Sequence, residues 1–104
     1  MSRGPEIGTL VTRNVEQAAR RYGCGVRVQS VQSTRWASAT FNGERHRLQA
    51  SAAPSPALDK WLAELGDADF SIRGHLVADI HVRSIQRAAE LVGIELEVLT
   101  LEDA

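Results

Sequence analysis

Residues 70–83, F-S-I-R-G-H-L-V-A-D-I-H-V-R, alternate between two kinds of side chain along most of their length. Phe70, Ile72, Gly74, Leu76, Ala78, Ile80 and Val82 fall on one side, and Ser71, Arg73, His75, Val77, Asp79, His81 and Arg83 on the other. Successive side chains of a strand point to opposite faces, so this pattern predicts one long strand with a buried and a polar face. Such a strand belongs in a sheet covered by helices on one side only.

The rest of the chain supplies the partners. Ile7, Leu10, Val11, Val15, Ala18 and Tyr22 recur at three- and four-residue spacing, with Arg13, Glu16, Gln17 and Arg20 opposite them, which predicts a helix over 6–22 closed by Gly23. A shorter helix capped by Asn14, after a strand over 7–12, is the competing parse. Residues 26–52 read as antiparallel strands. Asn42-Gly43 suits a two-residue turn, which would set Ala37 against Leu48 and Ala39 against His46. Phe41, Ala39, Ala37, Leu48 and Ala50 would then share an apolar face, and Thr34, Trp36, Arg45, Arg47 and Gln49 the other.

Ser55 suits an N-cap and Pro56 the first position of a second helix, in which Leu58, Trp61, Leu62 and Leu65 form the stripe and Gly66 the stop. Ser84 can cap a third helix bearing Ile85, Ala88, Ala89 and Val92, ended by Gly93. Ile94, Leu96 and Val98 then alternate in a last strand, which a short crossover helix would place parallel to its predecessor. The expected order is α-β-β-α-β-α-β. It describes one α+β domain over 1–104, a two-layer sandwich of ferredoxin-like general type, with a mixed, mostly antiparallel sheet and residues 1–5 disordered. No internal repeat is visible. Pro54-Ser55-Pro56 opening an apolar helix after a hairpin resembles the OsmC-type peroxide reductases over that segment alone. The helix 57–65 has no cysteine where that family's thiol chemistry would sit, and no activity follows from the resemblance.

Composition narrows the function classes. No apolar run approaches the ~20 residues of a membrane span. The lone Cys24 forms no internal disulfide, which points to a reducing cytoplasm. The net charge of −1 conceals an asymmetry: residues 1–50 carry eight arginines against three acids (+5), residues 51–104 four basic residues against ten acids (−6). Halves of opposite sign attract within one chain, between two copies, or toward another partner.

The polar sheet face is where a function would sit. Asp79 and His81 on one strand face, with His75 further along it, have the residue types for a metal or for acid–base work, but lack a third ligand or a recognisable nucleophile. Trp36 beside Arg45 and Arg47 could stack on and pair with a nucleic acid, yet one tryptophan and a pI near 6.3 argue against a dedicated binder. Glu95 and Glu97 would mark an edge strand open to a partner. Cys24 reads as a packed turn residue. The resulting expectation is a homodimeric interaction module without cofactor, contacting itself or another protein, not a membrane, through Trp36, Arg45, Arg47, Arg73, His75, Asp79 and His81.

Overall fold

A computed structural model describes residues 6–67, 70 and 72–102; the segment 1–5 and Ser71 lie outside the described residues. The elements are α1 (Ile7–Arg21), β1 (Val26–Ala37), β2 (Asn42–Ala52), α2 (Pro56–Glu64), a 3₁₀ turn (Leu65–Asp67), β3 (His75–Arg87) and β4 (Val92–Glu102). The class is α+β. The four strands form one sheet in the order β1-β2-β4-β3, and every neighbouring pair is antiparallel.

The first two of the three expected helices form. α1 buries Ile7, Val11, Val15 and Ala19 and ends at Gly23, whose φ of 86° is the left-handed value glycine adopts without a Cβ penalty. In α2 the Ser55 hydroxyl accepts from the Leu58 amide at 3.0 Å, and Leu58, Trp61 and Leu62 are buried. Both helices pack on one sheet face, where Val26, Leu48, Ala50, Ala52, Ile80, Val92, Ile94, Leu96 and Val98 complete the core. The Tyr22 hydroxyl donates to Glu64 at 2.7 Å and ties the ends of the helices together.

The expected third helix is absent. Residues 84–87 continue β3, and the chain turns through 88–91, where the Ala88 amide donates to the Leu91 carbonyl at 3.0 Å. The order is therefore α-β-β-α-β-β, and β3 and β4 form a hairpin rather than a parallel crossover unit. Pairing with β4 satisfies the backbone along β3, which outweighs the helix preference of the Ala-Ala-Glu-Leu run, whose residues are good helix formers but too few to sustain a helix.

The long strand also starts later than its alternation implies. The His75 amide donates to the Ile72 carbonyl at 3.0 Å across a turn whose third residue, Gly74, has φ 82°. Register shifts between Val77 and Asp79 and between Val82 and Ser84 then each insert a residue. A bulge of this kind reverses which face the following residues take.

The first hairpin turns through 38–41 rather than at Asn42-Gly43. Ser38 Oγ accepts from the Thr40 and Phe41 amides at 3.3 and 3.0 Å, and the Ser38 amide donates to the Phe41 carbonyl at 2.8 Å. Val31, not Ala37, stands opposite Leu48, and Ser33, not Ala39, opposite His46. Ala37, Ala39 and Phe41 thus leave the core and are exposed. The register moves by an even number of residues, so Trp36, Arg45 and Arg47 keep their expected face. Gly43 is needed inside the strand: a Cβ there would meet Trp36 Cζ2 at 2.9 Å and collide with the Thr100 carbonyl oxygen.

The pairings reveal a repeat that the residues conceal. Adding 50 (93 − 43) carries the Trp36–Gly43 pair onto Gln86–Gly93, and the turn tip Phe41 onto Leu91. The buried Gly8, Val11 and Val15 of α1 likewise map onto Leu58, Trp61 and Leu65. The two αββ halves are related by an approximate twofold axis normal to the sheet, passing between the directly paired Arg47 and Glu97.

Candidate interaction face

The face of the sheet away from the helices is uncovered, and its register sorts it into rows. Trp36, Gly43, Leu101 and Leu76 cross all four strands at one end; next come Thr34, Arg45, Leu99 and Asp79. Gln32, Arg47, Glu97 and His81 form the middle row, and Ser30, Gln49, Glu95 and Ser84 the fourth. Arg27, Ser51, Gly93 and Gln86 close the far end. The face therefore grades from an apolar end through a charged middle to a polar far end that carries Arg27.

At the apolar end Leu76 is 61% exposed, and Leu99 and Leu101 are half-buried. The Trp36 indole lies against Gly43 with Nε1 buried and without an acceptor, so the ring's outward surface is carbon. In the middle, Glu97 gathers the cations. Its carboxylate lies 3.3 Å from Arg47 Nε, 3.7 Å from Arg45 Nε, 3.2 Å from Arg83 Nη1 and 3.8 Å from His81 Nε2. Partial desolvation disfavours its charged form, but the Arg47 hydrogen bond and the charges of Arg83, Arg45 and His81 outweigh that and hold its pKa below the ordinary value. Arg83 Nε also reaches Glu95 at 3.3 Å.

Of the residues singled out in the sequence, the fold gathers Trp36, Arg45, Arg47, Asp79 and His81 on this face. His81 Nδ1 lies 3.3 Å from Asp79. The other two fall elsewhere. The bulge between Val77 and Asp79 puts His75, which pairs with Glu102, on the helix side, and Arg73 sits in the turn before β3. Among the described residues no three His, Cys, Asp or Glu side chains converge as metal ligands.

Glu95 and Glu97 lie on a central strand, not an edge; Glu97 meets Arg45 and Arg47 of the first half within the chain, and Glu95 meets Arg83. Leu76, which strict alternation places on the buried side, joins the open face with Leu99, Leu101 and Arg83. Cys24 is buried, its Sγ donating to the Ala19 carbonyl at 3.3 Å, and burial pushes its pKa up.

Beneath the sheet His46 is fully buried between two hydroxyls, Nδ1 2.6 Å from Ser33 Oγ and Nε2 2.9 Å from Thr100 Oγ1. Thr100 in turn donates to the Glu44 carbonyl at 3.3 Å. Thr100 therefore accepts from Nε2–H, and Nδ1 accepts from Ser33. Burial first, and the nearby His75 second, lower the His46 pKa to about 4, so the ring is neutral and structural.

No described helix is long and apolar enough to cross a membrane. No protein-family model, curated protein or solved structure matches this chain.

Proposed function

We propose that this chain is a small interaction module that binds a protein surface, its own copy included, through the open face of the sheet. The carrying observation is the apolar end: Trp36, Leu101 and Leu76 occupy positions whose twofold equivalents are Gln86, Ser51 and Arg27. The same backbone environment tolerates fully polar side chains, so the fold itself does not require this row to be apolar. A carbon-rich row bordered by Arg45, Arg47 and Glu97 has the anatomy of a contact surface, an aromatic and aliphatic patch with a charged margin. The arginines are already engaged by Glu97, which favours a protein partner over a phosphate backbone. A reducing cytoplasm is the compartment that a lone, packed cysteine supports.

Mapping backbone amide shifts over a dilution series tests this. Concentration-dependent shifts are expected at residues 34–36, 76–81 and 97–101, with the helices unchanged. Shifts confined to α1 and α2 would contradict the reading.

A further inference from the structure

Resting on the open face as the contact surface, we propose that its occupant is a second copy, stacked face to face about a twofold axis parallel to the strands. Such an axis, set over the line between β2 and β4, lays β1 over the partner's β3 and β2 over the partner's β4 while keeping each row in place. The apolar row and the central row then meet their complements, while Arg45 lies over the partner's Leu99. Trp36 packs on the partner's Leu76, and Leu101 packs on the partner's Trp36 ring where that ring covers Gly43. Thr34 faces the partner's Asp79, and Gln32 the partner's His81.

Arg47 faces the partner's Glu97. Together with the Arg47–Glu97 bond at 3.3 Å inside each chain, this closes a square of alternating charge at the centre. Each contact occurs twice, as an isologous interface requires. The other in-plane twofold, across the strands, would set Arg47 on Arg47 and Glu97 on Glu97, and like charges in contact disfavour it.

Two further features agree. The charge segregation of the sequence places Arg27, Arg45 and Arg47 on the β1–β2 half of the face, and Asp79, Glu95 and Glu97, against the single Arg83, on the β3–β4 half. This axis brings those halves together between copies. Four strands about 4.8 Å apart and about eleven residues long, rising ~3.4 Å each, span roughly 700 Å². That is close to the ~800 Å² each partner contributes to a stable interface.

Sedimentation velocity on charge-reversed chains tests the register. Wild type is expected as a dimer. Arg47→Glu alone and Glu97→Arg alone are expected to weaken association by at least about 100-fold, each setting like charges against each other twice. An equimolar mixture of the two variants restores the dimer, since both central contacts become opposite pairs. A mixture that stays monomeric, or a monomeric wild type, overturns the proposal. Single variants that remain dimeric also overturn this register. If Trp36→Gln then dissociates them, the open face stands as the contact surface; if it does not, that reading falls too.

Should the reversals unfold the chain, a Thr34→Cys chain mixed with an Asp79→Cys chain provides the second test. A short bis-maleimide is expected to give the mixed cross-link, while neither chain alone links to itself. Absence of the mixed product would overturn the stacking.

Discussion

The two ends of the open face are built on equivalent backbone and carry opposite chemistry. At one, Trp36 covers Gly43 beside Leu101 and Leu76; at the other, Gln86 approaches Gly93 beside Ser51 and Arg27, with its Cβ 3.8 Å from where a glycine Cβ would be. Close approach requires the glycine only at Gly43, since a Cβ at Gly93 would make ordinary 3.8 Å contacts with Gln86. The side chains over the two glycines do not recur, and folding alone does not explain why one end is carbon-rich. Under the helices the halves differ in a tamer way: Val11 and Trp61 are equivalent and both buried, and each fills the space its own helix leaves. Divergence in the core preserves packing, whereas divergence on the open face leaves one end carbon-rich and the other polar.

The largest test of that contrast lies in the core. Trp61→Ala is expected to cost about 3–5 kcal/mol, measured by urea unfolding, because the helix-side cavity cannot collapse. Val11→Ala should cost less, since fewer atoms leave.

The next contrast is His46, whose twofold equivalent is the apolar Leu96. The folded pKa of about 4 lies below the free value of 6.5, so between these limits the unfolded chain binds a proton that the folded chain refuses. Stability is complete above the free value and falls as pH drops through this window, by up to on the order of 3 kcal/mol. His46→Leu, which makes the halves alike, should flatten that pH dependence in thermal melts.

The helix starts differ too. Ser55 caps α2, while Glu6 precedes α1 with no side-chain cap bond. Ser55→Ala should cost about 1 kcal/mol, and Glu6→Ser should gain a smaller amount in the same unfolding assay. The smallest effect belongs to the exposed Arg87–Asp59 pair at 3.0 Å, where Arg87→Ala should shift stability by less than about 1 kcal/mol.

Legibility in the sequence followed the physics of each element. α1 and α2 were readable because their stripes and their stops or caps are local: Gly23, Ser55 and Pro56 act within a turn of where they stand. The burial of Leu48 and Ala50, and the common face of Trp36, Arg45 and Arg47, do not depend on where the hairpin turns, because the two registers differ by an even number of residues. The bulges in β3 leave no local mark, so plain alternation groups His75 with Asp79 and His81 although it lies on the other face. The β3–β4 hairpin was hidden because Ile85, Ala88, Ala89 and Val92 fit a helical spacing. The Glu97 cluster depends on which strand is central, and that is decided by pairing between the halves.

The central claim, that the Trp36 end of the open face is a surface for self-association, is tested most directly by making it resemble its counterpart. Trp36→Gln, Leu101→Ser and Leu76→Arg place on it the residues that Gln86, Ser51 and Arg27 supply at the other end. In sedimentation velocity the wild-type chain should run as a dimer, and the triple variant as a folded monomer with an unchanged circular dichroism spectrum. A triple variant that still sediments as a dimer, or a wild type that is monomeric at every concentration, would contradict the claim.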